Sequence, residues 1–540
     1  MNAGSVSNVN YNNYDNSVAK KPQIENVNKN LPEQSHEAVA ADTFVPSAEL
    51  KAEEEAAPSA FTLTTAKDYE DGSDVKELAY TLAKEGDRED VDLSQYTVLR
   101  ASDSDNAIQI SRDDKGNLIV DVDGEQASFT AAEASKLIID GGDGADRIVA
   151  DDNVKTDLHI VGGKGNDTIE TAKGQDFIID NYGANNISAG DGDDHIIANQ
   201  LDGASEARNV EGNDERNIFQ KFFDGLFGRN NTVSITGNKI DGGAGDDYIE
   251  GGMGSDVISG GKGNDVIYGL DGSDSISGGD GRDYIDGGKG DDSISGGKGD
   301  DKIFGGRGDD SISGGDGDDV IVGGRGKDSI SGGSGSNSVT TDGKDSISGG
   351  TKVETVNPMS IPGNISIETN DEGYRARVQS DLDALAATST GQQMLNGLAD
   401  MDGHKVKIAS TDGGNYCSYY TNGVLKDDGT ANAGSDSTVA YNRSRIKIGN
   451  AAWGERPPIV GMYHEMAHSY DAGKGILDSR MYNYDGSLAA GTDEDPGEVK
   501  GAELQAVGID TGAADLTLNP EGISENSLRD FLGLDTRPKY

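Results

Sequence analysis

Residues 242–268 read GGAGDDYIE, GGMGSDVIS and GGKGNDVIY, three copies of a nine-residue unit that continues to residue 330. Each copy begins with Gly, has Asp at its sixth position and has Ile two residues later. A flexible linker has no reason to place Ile at every ninth residue, so the pattern predicts a folded repeat. The repeated aspartates are Asp247, Asp256, Asp265, Asp274, Asp283, Asp292, Asp301, Asp310, Asp319 and Asp328.

One copy of this unit cannot form a core, because it contains one aliphatic side chain. Stacked copies would align their Ile side chains in an inner ladder, so stability requires several neighbouring copies. The Gly residues permit positive φ angles and let backbone carbonyls approach an ion closely. Those carbonyls and the Asp carboxylates are the hard oxygen ligands that Ca²⁺ prefers. The repeat therefore predicts several structural calcium ions held by the ten aspartates.

The nine-residue unit resembles the RTX nonapeptide G-G-x-G-x-D-x-U-x, where U is aliphatic. This resemblance implies a parallel β-roll with calcium between successive turns. Regular copies occupy residues 241–350, where Asn337 interrupts the Asp series and DGKDSISGG is a slipped last copy. Looser copies in residues 136–200, such as GGDGADRIV from residue 141, predict a degenerate extension of the same roll.

The residues before the repeats differ from them in composition. We interpret residues 1–58, rich in Asn, Ser, Ala and Glu, as a disordered N-terminal export region. Within residues 59–135, the alternating segments AIQISR, NLIVDV and QASFT predict a small β-meander. A short helix with Thr130 as its N-cap is expected to follow. We expect this β-rich region to cap the roll.

Residues 201–240 interrupt the repeats with the segment NIFQKFFDGLF. Its Phe and Leu side chains recur at helical spacing, which predicts an amphipathic helix packed on the roll. Contact with a membrane or a partner is the alternative interpretation.

The composition excludes several classes of protein. The formal net charge of the 540 residues is −51, and a surface this acidic repels nucleic acid and anionic membranes. The single cysteine, Cys417, excludes intrachain disulfides. No apolar run reaches the roughly 18 residues of a transmembrane helix, and the N-terminus lacks the apolar core of a Sec signal peptide. We expect a secreted monomer.

Residues 355–540 have the patterning of an ordinary globular domain with its own core. Apolar residues at helical spacing run through residues 374–399, and HKVKIAS and DSTVAYN predict strands. Pro457 and Pro458 favour a helix start, and Gly473 favours its end. The sequence therefore predicts an α+β domain after the roll.

The predicted helix contains the motif H-E-x-x-H, formed by His464, Glu465 and His468. A helix places both imidazoles on one face, one turn apart, where both can bind one Zn²⁺. The intervening Glu465 can then act as a general base toward a water molecule. The motif predicts one catalytic zinc ion.

A catalytic zinc site needs a third protein ligand. The metzincin pattern would place it at residue 474, which is Lys, so that class is excluded. The segment GEVKGAELQAVG, residues 497–508, predicts a second helix that offers Glu498 or Glu503. The small neighbours of Glu503 would let that helix approach the metal. Other carboxylates left open as ligands are Asp471, Asp478 and Glu494.

The C-terminal segments resemble those of NleD-like effector metallopeptidases. The shared segments are SDLDALAATSTGQQML, GSDSTVAYN, RPPIVGMYHEMAH, ELQAVG and SENSLRDFLGLDTRPKY, in this order. ELQAVG is also similar to the third-ligand segment of clostridial neurotoxin light chains. The resemblance implies a zincin-like fold of the gluzincin type with Glu503 as third ligand. It also implies that the final R-x-x-Y, Arg537 and Tyr540, stabilises the oxyanion near the zinc.

The family further implies an endopeptidase that cuts host signalling proteins after type III secretion into the host cytoplasm. STVAYN is expected to be an edge strand that aligns an extended substrate. The alternative is a calcium-dependent surface or adhesive protein whose C-terminal domain binds zinc without catalysis. The sequence does not select a host substrate.

Overall fold

The computed structural model describes residues 6–7, 59–69, 73–82, 92–198, 236–349, 352–369, 371–401, 403–411, 415–420, 433–442, 457–474, 481–483, 498–500 and 524–534. It shows a parallel β-solenoid followed by a domain of helices and strands, which confirms the predicted fold class. Residues 1–58 were predicted to be disordered. The structure describes two of them, Val6 and Ser7, which form a short strand.

The first part of the chain supplies a meander that extends one sheet of the solenoid. Its strands pair antiparallel, as the alternating segments predicted, and the last of them precedes a helical turn. Thr130 caps that turn, and Glu133 bonds back to the backbone N–H of Thr130 in a capping box. The elements are β1 (Val6–Ser7), β2 (Phe61–Thr65), α1 (Ser73–Leu82), a 3₁₀ turn (Leu93–Gln95), β3 (Thr97–Ala101), β4 (Ala107–Arg112), β5 (Leu118–Val122), β6 (Glu125–Phe129) and α2 (Ala131–Ala134).

The repeats form the solenoid, in which each nonapeptide gives one strand and two nonapeptides complete a turn. Its strands are β7 (Leu137–Asp140), β8 (Arg147–Ala150), β9 (His159–Val161), β10 (Thr168–Glu170), β11 (Phe177–Ile179), β12 (Asn186–Ser188), β13 (His195–Ile197), β14 (Thr236–Ala244), β15 (Tyr248–Met253), β16 (Ser255–Lys262), β17 (Val266–Asp271), β18 (Ser275–Asp280), β19 (Tyr284–Lys289), β20 (Ser293–Lys298), β21 (Lys302–Arg307), β22 (Ser311–Asp316), β23 (Val320–Arg325), β24 (Ser329–Ser331), β25 (Ser338–Thr341), β26 (Ser346–Ser348) and β27 (Lys352–Thr355).

Alternate strands stack into two sheets of thirteen strands each. The repeat strands of both sheets pair in parallel and mostly join residues 18 apart, as in Ile258 with Ile276 and Ile267 with Ile285. The repeated Ile side chains are buried between the sheets in one continuous core, as predicted. The Phe-rich segment of the predicted insertion lies outside the described residues, and β14 begins at Thr236, inside the predicted range.

The outward positions of the two sheets differ. Five strands of one sheet present Ser-Ile-Ser, with Ser side chains facing outward and Ile inward. The other sheet carries large buried residues at its outward positions, namely Tyr248, Tyr268, Tyr284, Phe304 and Val322. This second surface, the aromatic face, packs against the C-terminal domain.

The C-terminal domain combines a five-stranded sheet with four helices among the described residues. The sheet order is β1-β30-β31-β29-β28. Its elements are β28 (Ile365–Glu368), α3 (Glu372–Ala386), α4 (Ser389–Ala399), β29 (Val406–Ser410), β30 (Tyr416–Tyr420), β31 (Ser437–Tyr441), α5 (Pro458–Gly473), β32 (Met481–Asn483), β33 (Glu498–Lys500) and α6 (Glu525–Phe531).

Helix α3 joins the domain to the roll. It lies across β17, β19, β21 and β23, and its Val378 and Leu382 share one hydrophobic cluster with the aromatic face. At the edge of this contact, Nη2 of Arg307 in the roll lies 2.8 Å from a carboxylate oxygen of Asp383 in α3. The two domains therefore have a common core.

Arg377 of α3 is fully buried at the centre of this contact. Its guanidinium carbon lies 3.2 Å from the ring centroid of Tyr268, and Nη1 lies 2.5 Å from Asp381. Glu250 of the roll lies 3.9 Å from its Nε. Tyr441 donates a 2.7 Å hydrogen bond to the same Asp381 carboxylate. A buried charge is tolerated only when paired, and here the partners come from both domains.

Replacing Arg377 with Ala is expected to lower the free energy of unfolding of the calcium-loaded chain by about 3–5 kcal/mol, because Asp381 and Glu250 would stay buried without their partner. Urea unfolding followed by circular dichroism measures the change. The matched control is Lys407→Ala, which removes an exposed pair with Glu368 and should cost less than about 1 kcal/mol. Equal losses in the two variants would contradict the structural role of Arg377.

Candidate active site and calcium sites

The repeated aspartates form two hydrogen-bonded ladders along the roll. The backbone N–H of most of these Asp residues donates to Oδ1 of the Asp 18 residues later, for example from Asp265 to Asp283 at 2.9 Å and from Asp274 to Asp292 at 2.8 Å. The last rung joins Asp328 to Asp345 over 17 residues, which agrees with the slipped final copy. The ladders fix every carboxylate in one orientation.

The second oxygen of each of the ten predicted aspartates is buried and has no hydrogen-bond partner among the described residues. Burial raises the pKa of all ten carboxyls, to about 6 at Asp283 and about 9 at Asp292, and the ladder hydrogen bonds oppose this shift in part. Each Oδ2 lies beside the first Gly of its own repeat, and nine of the ten are also close to a backbone carbonyl of the next turn, as at Gly260 with Asp265 and the carbonyl of Gly278. Buried oxygens without donors fit a calcium ion, which would supply the missing positive charge.

Three rungs carry Asn instead of Asp, at Asn185, Asn238 and Asn337. Each Asn keeps the Oδ1 acceptor of the ladder. Its Nδ2 takes the place of the Asp Oδ2 atom and donates to nearby backbone carbonyls. Asn337 Nδ2 lies 2.6 Å from the carbonyl of Gly332, and Asn238 Nδ2 lies 2.9 Å from that of Gly251. At these rungs an amide hydrogen satisfies the carbonyl in place of a cation.

Four aspartates of the degenerate copies have the same geometry, although the sequence analysis did not assign them as ligands. They continue the ladders, and each has a buried Oδ2 without a hydrogen-bond partner among the described residues. The signal was present, because each stands two residues before an Ile. These residues are Asp146, Asp167, Asp176 and Asp194.

The second candidate site lies on α5 in the C-terminal domain. Pro458 is its first residue and Gly473 its last, as predicted, and all of its residues are buried. His464, Glu465 and His468 face one another, with one ligand atom from each within 4.8 Å of the others. The two imidazole rings are perpendicular, with centroids 4.8 Å apart. The helix thus brings the three motif residues together, as the spacing predicted.

A carboxylate that the sequence analysis did not single out holds His464. Glu525, the first residue of α6, places Oε2 at 2.9 Å from Nδ1 of His464. Its Oε1 accepts a 2.6 Å hydrogen bond from Nε of Arg529, one turn later, and both residues are fully buried. Leu528 and Leu532 on the same stripe anchor α6 in the domain core.

Two family models match the chain in the order of its domains. Six segments between residues 159 and 339 match the RTX calcium-binding nonapeptide repeat. Residues 362–540 match the Peptidase M91 family, described as an effector protein. The C-terminal domain resembles the M91 effector peptidases. No curated protein shows significant similarity to the chain.

These matches confirm both resemblances noted in the sequence. The M91-like match indicates a peptidase and hence a protein substrate, and the RTX match supports structural calcium. Both matches are consistent with a secreted protein. None of the described helices is long and apolar enough to cross a membrane.

The donor set of the M91-like domain fits zinc. Two imidazoles within reach of one ion are typical zinc ligands. A carboxylate oxygen 2.9 Å from Nδ1 of His464 would favour the tautomer that leaves Nε2 as the ligating atom, an arrangement common around metal-binding histidines. The geometry therefore suits a zinc ion held by Nε2 of His464 and by His468.

The remaining predicted site residues have different outcomes. Glu503, Arg537 and Tyr540 lie outside the described residues, as do Asp478 and Glu494. Asp471 is buried on α5, one turn after His468, and burial raises its pKa to about 7 against the opposing effect of His468. It is not part of the cluster of three ligand atoms.

Two secondary-structure predictions in the C-terminal domain were wrong. Glu498 is not on a helix, because Glu498–Lys500 forms strand β33, paired antiparallel with β32. STVAYN does not form an edge strand, because β31 lies between β29 and β30 and pairs with both. Its residues are mostly buried, as a central strand requires.

Replacing Glu525 with Gln is expected to weaken zinc binding about 10–100-fold, because the carboxylate that orients a metal-binding His would lose its charge. Competition with a chromophoric chelator measures the affinity, and the melting temperature reports folding. The control is Glu368→Gln, an exposed carboxylate in the same domain. Unchanged zinc affinity in Glu525→Gln would show that this carboxylate does not act on the metal site.

Proposed function

We propose that the protein is a secreted zinc metalloendopeptidase that cleaves host proteins, with a calcium-loaded roll as its structural platform. The observation that carries this proposal is the buried cluster of His464, Glu465 and His468, with Glu525 bound to His464. The M91 match supports peptidase activity and favours this function over a surface or adhesive protein.

The proposed ligands are His464, His468 and Glu503. A zinc ion bound there would supply a Lewis acid that polarises the scissile carbonyl and makes water more acidic. Glu465, beside the two imidazoles, would accept the proton of the attacking water and pass it to the leaving amine. Glu525 would keep His464 in one orientation during this transfer.

The substrate would bind as an extended strand along β30. Among the described strands, only the two residues of β1 lie outside β30 in the five-stranded sheet. β30 also contacts α5, which carries the motif. The antiparallel pairing of the chain's own Val6 and Ser7 with Tyr420 and Tyr419 supports the proposal that an extended peptide can pair with β30. Strand addition of this kind fixes the register of an extended substrate.

We also propose that Arg537 and Tyr540 stabilise the oxyanion, Arg537 by charge and Tyr540 by its hydroxyl group. Tyr540→Phe is expected to lower kcat about 10²–10³-fold with KM, zinc content and melting temperature little changed, as for loss of an oxyanion donor. Steady-state cleavage of a peptide substrate measures the effect. Turnover at the wild-type rate would refute the assignment.

A peptide-library assay tests the proposed function. The zinc-loaded chain should cleave peptides, lose activity when zinc is removed and regain it when zinc alone is restored. Zinc analysis of Glu503→Ala and Glu498→Ala identifies the third ligand, since the proposal expects loss of metal in the first variant and not in the second. A chain that binds one zinc and cleaves no peptide would favour the non-catalytic alternative.

A further inference from the structure

Asp286 lies in the contact between the roll and helix α3. It ends a Tyr-Ile-Asp segment of β19, in which Ile285 faces the inner core while Tyr284 and Asp286 face outward. Its partners in the parallel register are Tyr268 of β17 and Phe304 of β21, two rings of the aromatic face. Because α3 lies across these three strands, Asp286 is almost fully buried. An ionisable side chain therefore stands where the neighbouring turns carry aromatic rings.

Three carboxyl groups share one buried cation in this contact. Glu250 and Asp286 are the register partners of Tyr268 on its two sides. The guanidinium of Arg377 lies on the ring of Tyr268 and is paired with Asp381 at 2.5 Å. All four charged side chains are buried. If all three carboxyls were ionised, this group of four would have two uncompensated negative charges, which a buried contact does not tolerate.

The three carboxyls differ in their hydrogen-bond donors. The hydroxyl of Tyr441 donates to Asp381, and that of Tyr248 donates to Glu250. Oδ2 of Asp286 is buried without a hydrogen-bond partner among the described residues. A protonated carboxyl is neutral, so a proton on Asp286 would remove one charge at the carboxylate that is least compensated. Asp286 is therefore the group of this cluster that should hold a proton.

The surroundings of Asp286 agree with this assignment. Burial raises its pKa to about 7, and the charge of Asp381 raises it further. The charge of Arg377 and the nearby side chain of Ser380 oppose the shift, while Asp383 adds to it. The single cation of the cluster thus does not cancel the effect of burial.

Other titratable groups near Asp286 keep one charge state between pH 5 and pH 8. Tyr268 and Tyr284 stay neutral, because burial raises the pKa of both well above the ordinary value of 10.0. Burial also raises the pKa of Asp292 and Asp310, and the charge of Asp286 adds to that effect. Both are repeat aspartates, and calcium in their sites would keep them ionised.

We propose that the packing of the peptidase domain on the roll depends on a proton held by Asp286. With the proton in place, Arg377 faces two carboxylates that also accept hydrogen bonds from tyrosines. Loss of the proton adds a third buried charge and weakens the contact of α3 with the aromatic face. The peptidase domain would be held firmly at acidic pH and less firmly near neutral pH. This effect does not depend on zinc or on catalysis.

The pH range of the effect follows from the two states of Asp286. When α3 leaves the roll, Asp286 faces water and regains an ordinary pKa near 3.8. The packed state then binds more protons, so its stability falls as the pH rises from about 4 to about 7 and levels off above that. One proton changes an equilibrium constant by at most about tenfold per pH unit, so the packing should weaken about 10–100-fold between pH 5 and pH 8.

Urea unfolding of the full chain at pH 5, 6, 7 and 8 tests the proposal, with calcium and zinc saturating and the fluorescence of Trp453 as the signal. Asp286→Asn has nearly the size of Asp and imitates its protonated form. Its unfolding equilibrium constant should lie within about threefold of the wild type at pH 5 and about 10–100-fold below it at pH 8. The control Asp280→Asn removes an exposed carboxylate of the roll, paired with Lys298, and should show no such pH dependence.

A difference between wild type and Asp286→Asn that is equal at every pH would overturn the proposal, because Asp286 would then keep one charge state. A variant less stable than wild type at pH 8 would also overturn it, since Asp286 would then act as an ionised partner of Arg377.

Hydrogen exchange of the folded wild type gives an independent measurement that needs no variant. After correction for the pH dependence of the chemical exchange rate, the protection of the α3 amides should fall about 10–100-fold from pH 5 to pH 8. In Asp286→Asn this protection should stay constant. Constant protection in the wild type, or an equal fall in both proteins, would show that the contact does not depend on a proton at Asp286.

Discussion

Glu465→Gln is expected to lower kcat/KM for peptide cleavage by about 10²–10⁴-fold, the usual contribution of a positioned general base. The amide cannot accept a proton from water, yet it has nearly the same size and shape as the carboxylate. Because His464 and His468 remain in place, zinc content and melting temperature should match the wild type. Activity on a peptide from the library assay and zinc analysis of the same sample measure both properties.

The control for this variant is Glu368→Gln, which removes an exposed carboxylate of the same domain and should leave kcat/KM unchanged. A Glu465→Gln enzyme with full zinc and wild-type turnover would exclude Glu465 as the base. Loss of activity together with loss of zinc would instead show that Glu465 contributes to metal binding. Proteomic comparison of host cells given wild type or Glu465→Gln would then identify the substrate.

Removal of calcium is expected to disorder the roll and to destabilise the peptidase domain with it. Each bound ion contributes about 2.7 kcal/mol when calcium is 100 times Kd, so a few sites equal the stability of a typical domain. The common core built around Arg377 and Tyr268 transmits this loss to α3. Circular dichroism reports on the roll, and the fluorescence of Trp453, the single tryptophan, reports on the C-terminal domain.

Zinc must be added back after calcium is removed, so that the effect of losing calcium is measured without loss of zinc. Magnesium at the same concentration serves as the control cation. We expect magnesium to fail, because it demands a tighter octahedral geometry. A loss of β-structure with unchanged Trp453 emission and unchanged melting of the peptidase domain would show that the domains are energetically independent. An unchanged β-signal would contradict calcium-dependent folding of the roll.

Protonation of the buried carboxyls at low pH should provide part of the stabilisation that calcium provides. Burial raises the pKa of Asp292 to about 9 and that of Asp265 to about 8, against an ordinary value of 3.8. The folded roll therefore binds more protons than the unfolded chain, and its stability falls as pH rises from about 4 through these values. The calcium-free chain is expected to be more stable at pH 5 than at pH 8, which thermal unfolding would measure.

The sequence was informative wherever one short period determined the structure. Asp265 and Ile267 repeat every nine residues, so the stacked turns and the inner core of Ile side chains followed from counting alone. The same copies also contain an 18-residue alternation, with Tyr268, Tyr284 and Phe304 in one set and Ser in the other. Attention to the outward positions would have predicted that one face is covered, although not by which helix.

The candidate active site also combines features that a short sequence motif determines with features that depend on packing between distant segments. The motif of His464 and His468 specifies its own geometry, because an α-helix fixes their separation. Glu525 could have been suspected, since it and Arg529 are charged residues on the apolar stripe of Leu528 and Leu532. Its contact with His464 could not, because that depends on how α6 packs on α5. The errors at β31 and β33 have this cause too, since strand pairing between distant segments decides them.

The alternation of the two faces limits how the roll can change in length. The rung from Asn185 to Asn238 spans 53 residues where most rungs span 18, so the chain holds 35 additional residues between two strands that still pair in the regular register. A single extra nonapeptide inserted between Glu250 and Tyr268 would act differently. It would exchange the two faces beyond that point and bring a Ser-Ile-Ser strand against Arg377. Viable relatives should therefore differ by whole turns, and the copies beneath α3 should be the least free to vary in number.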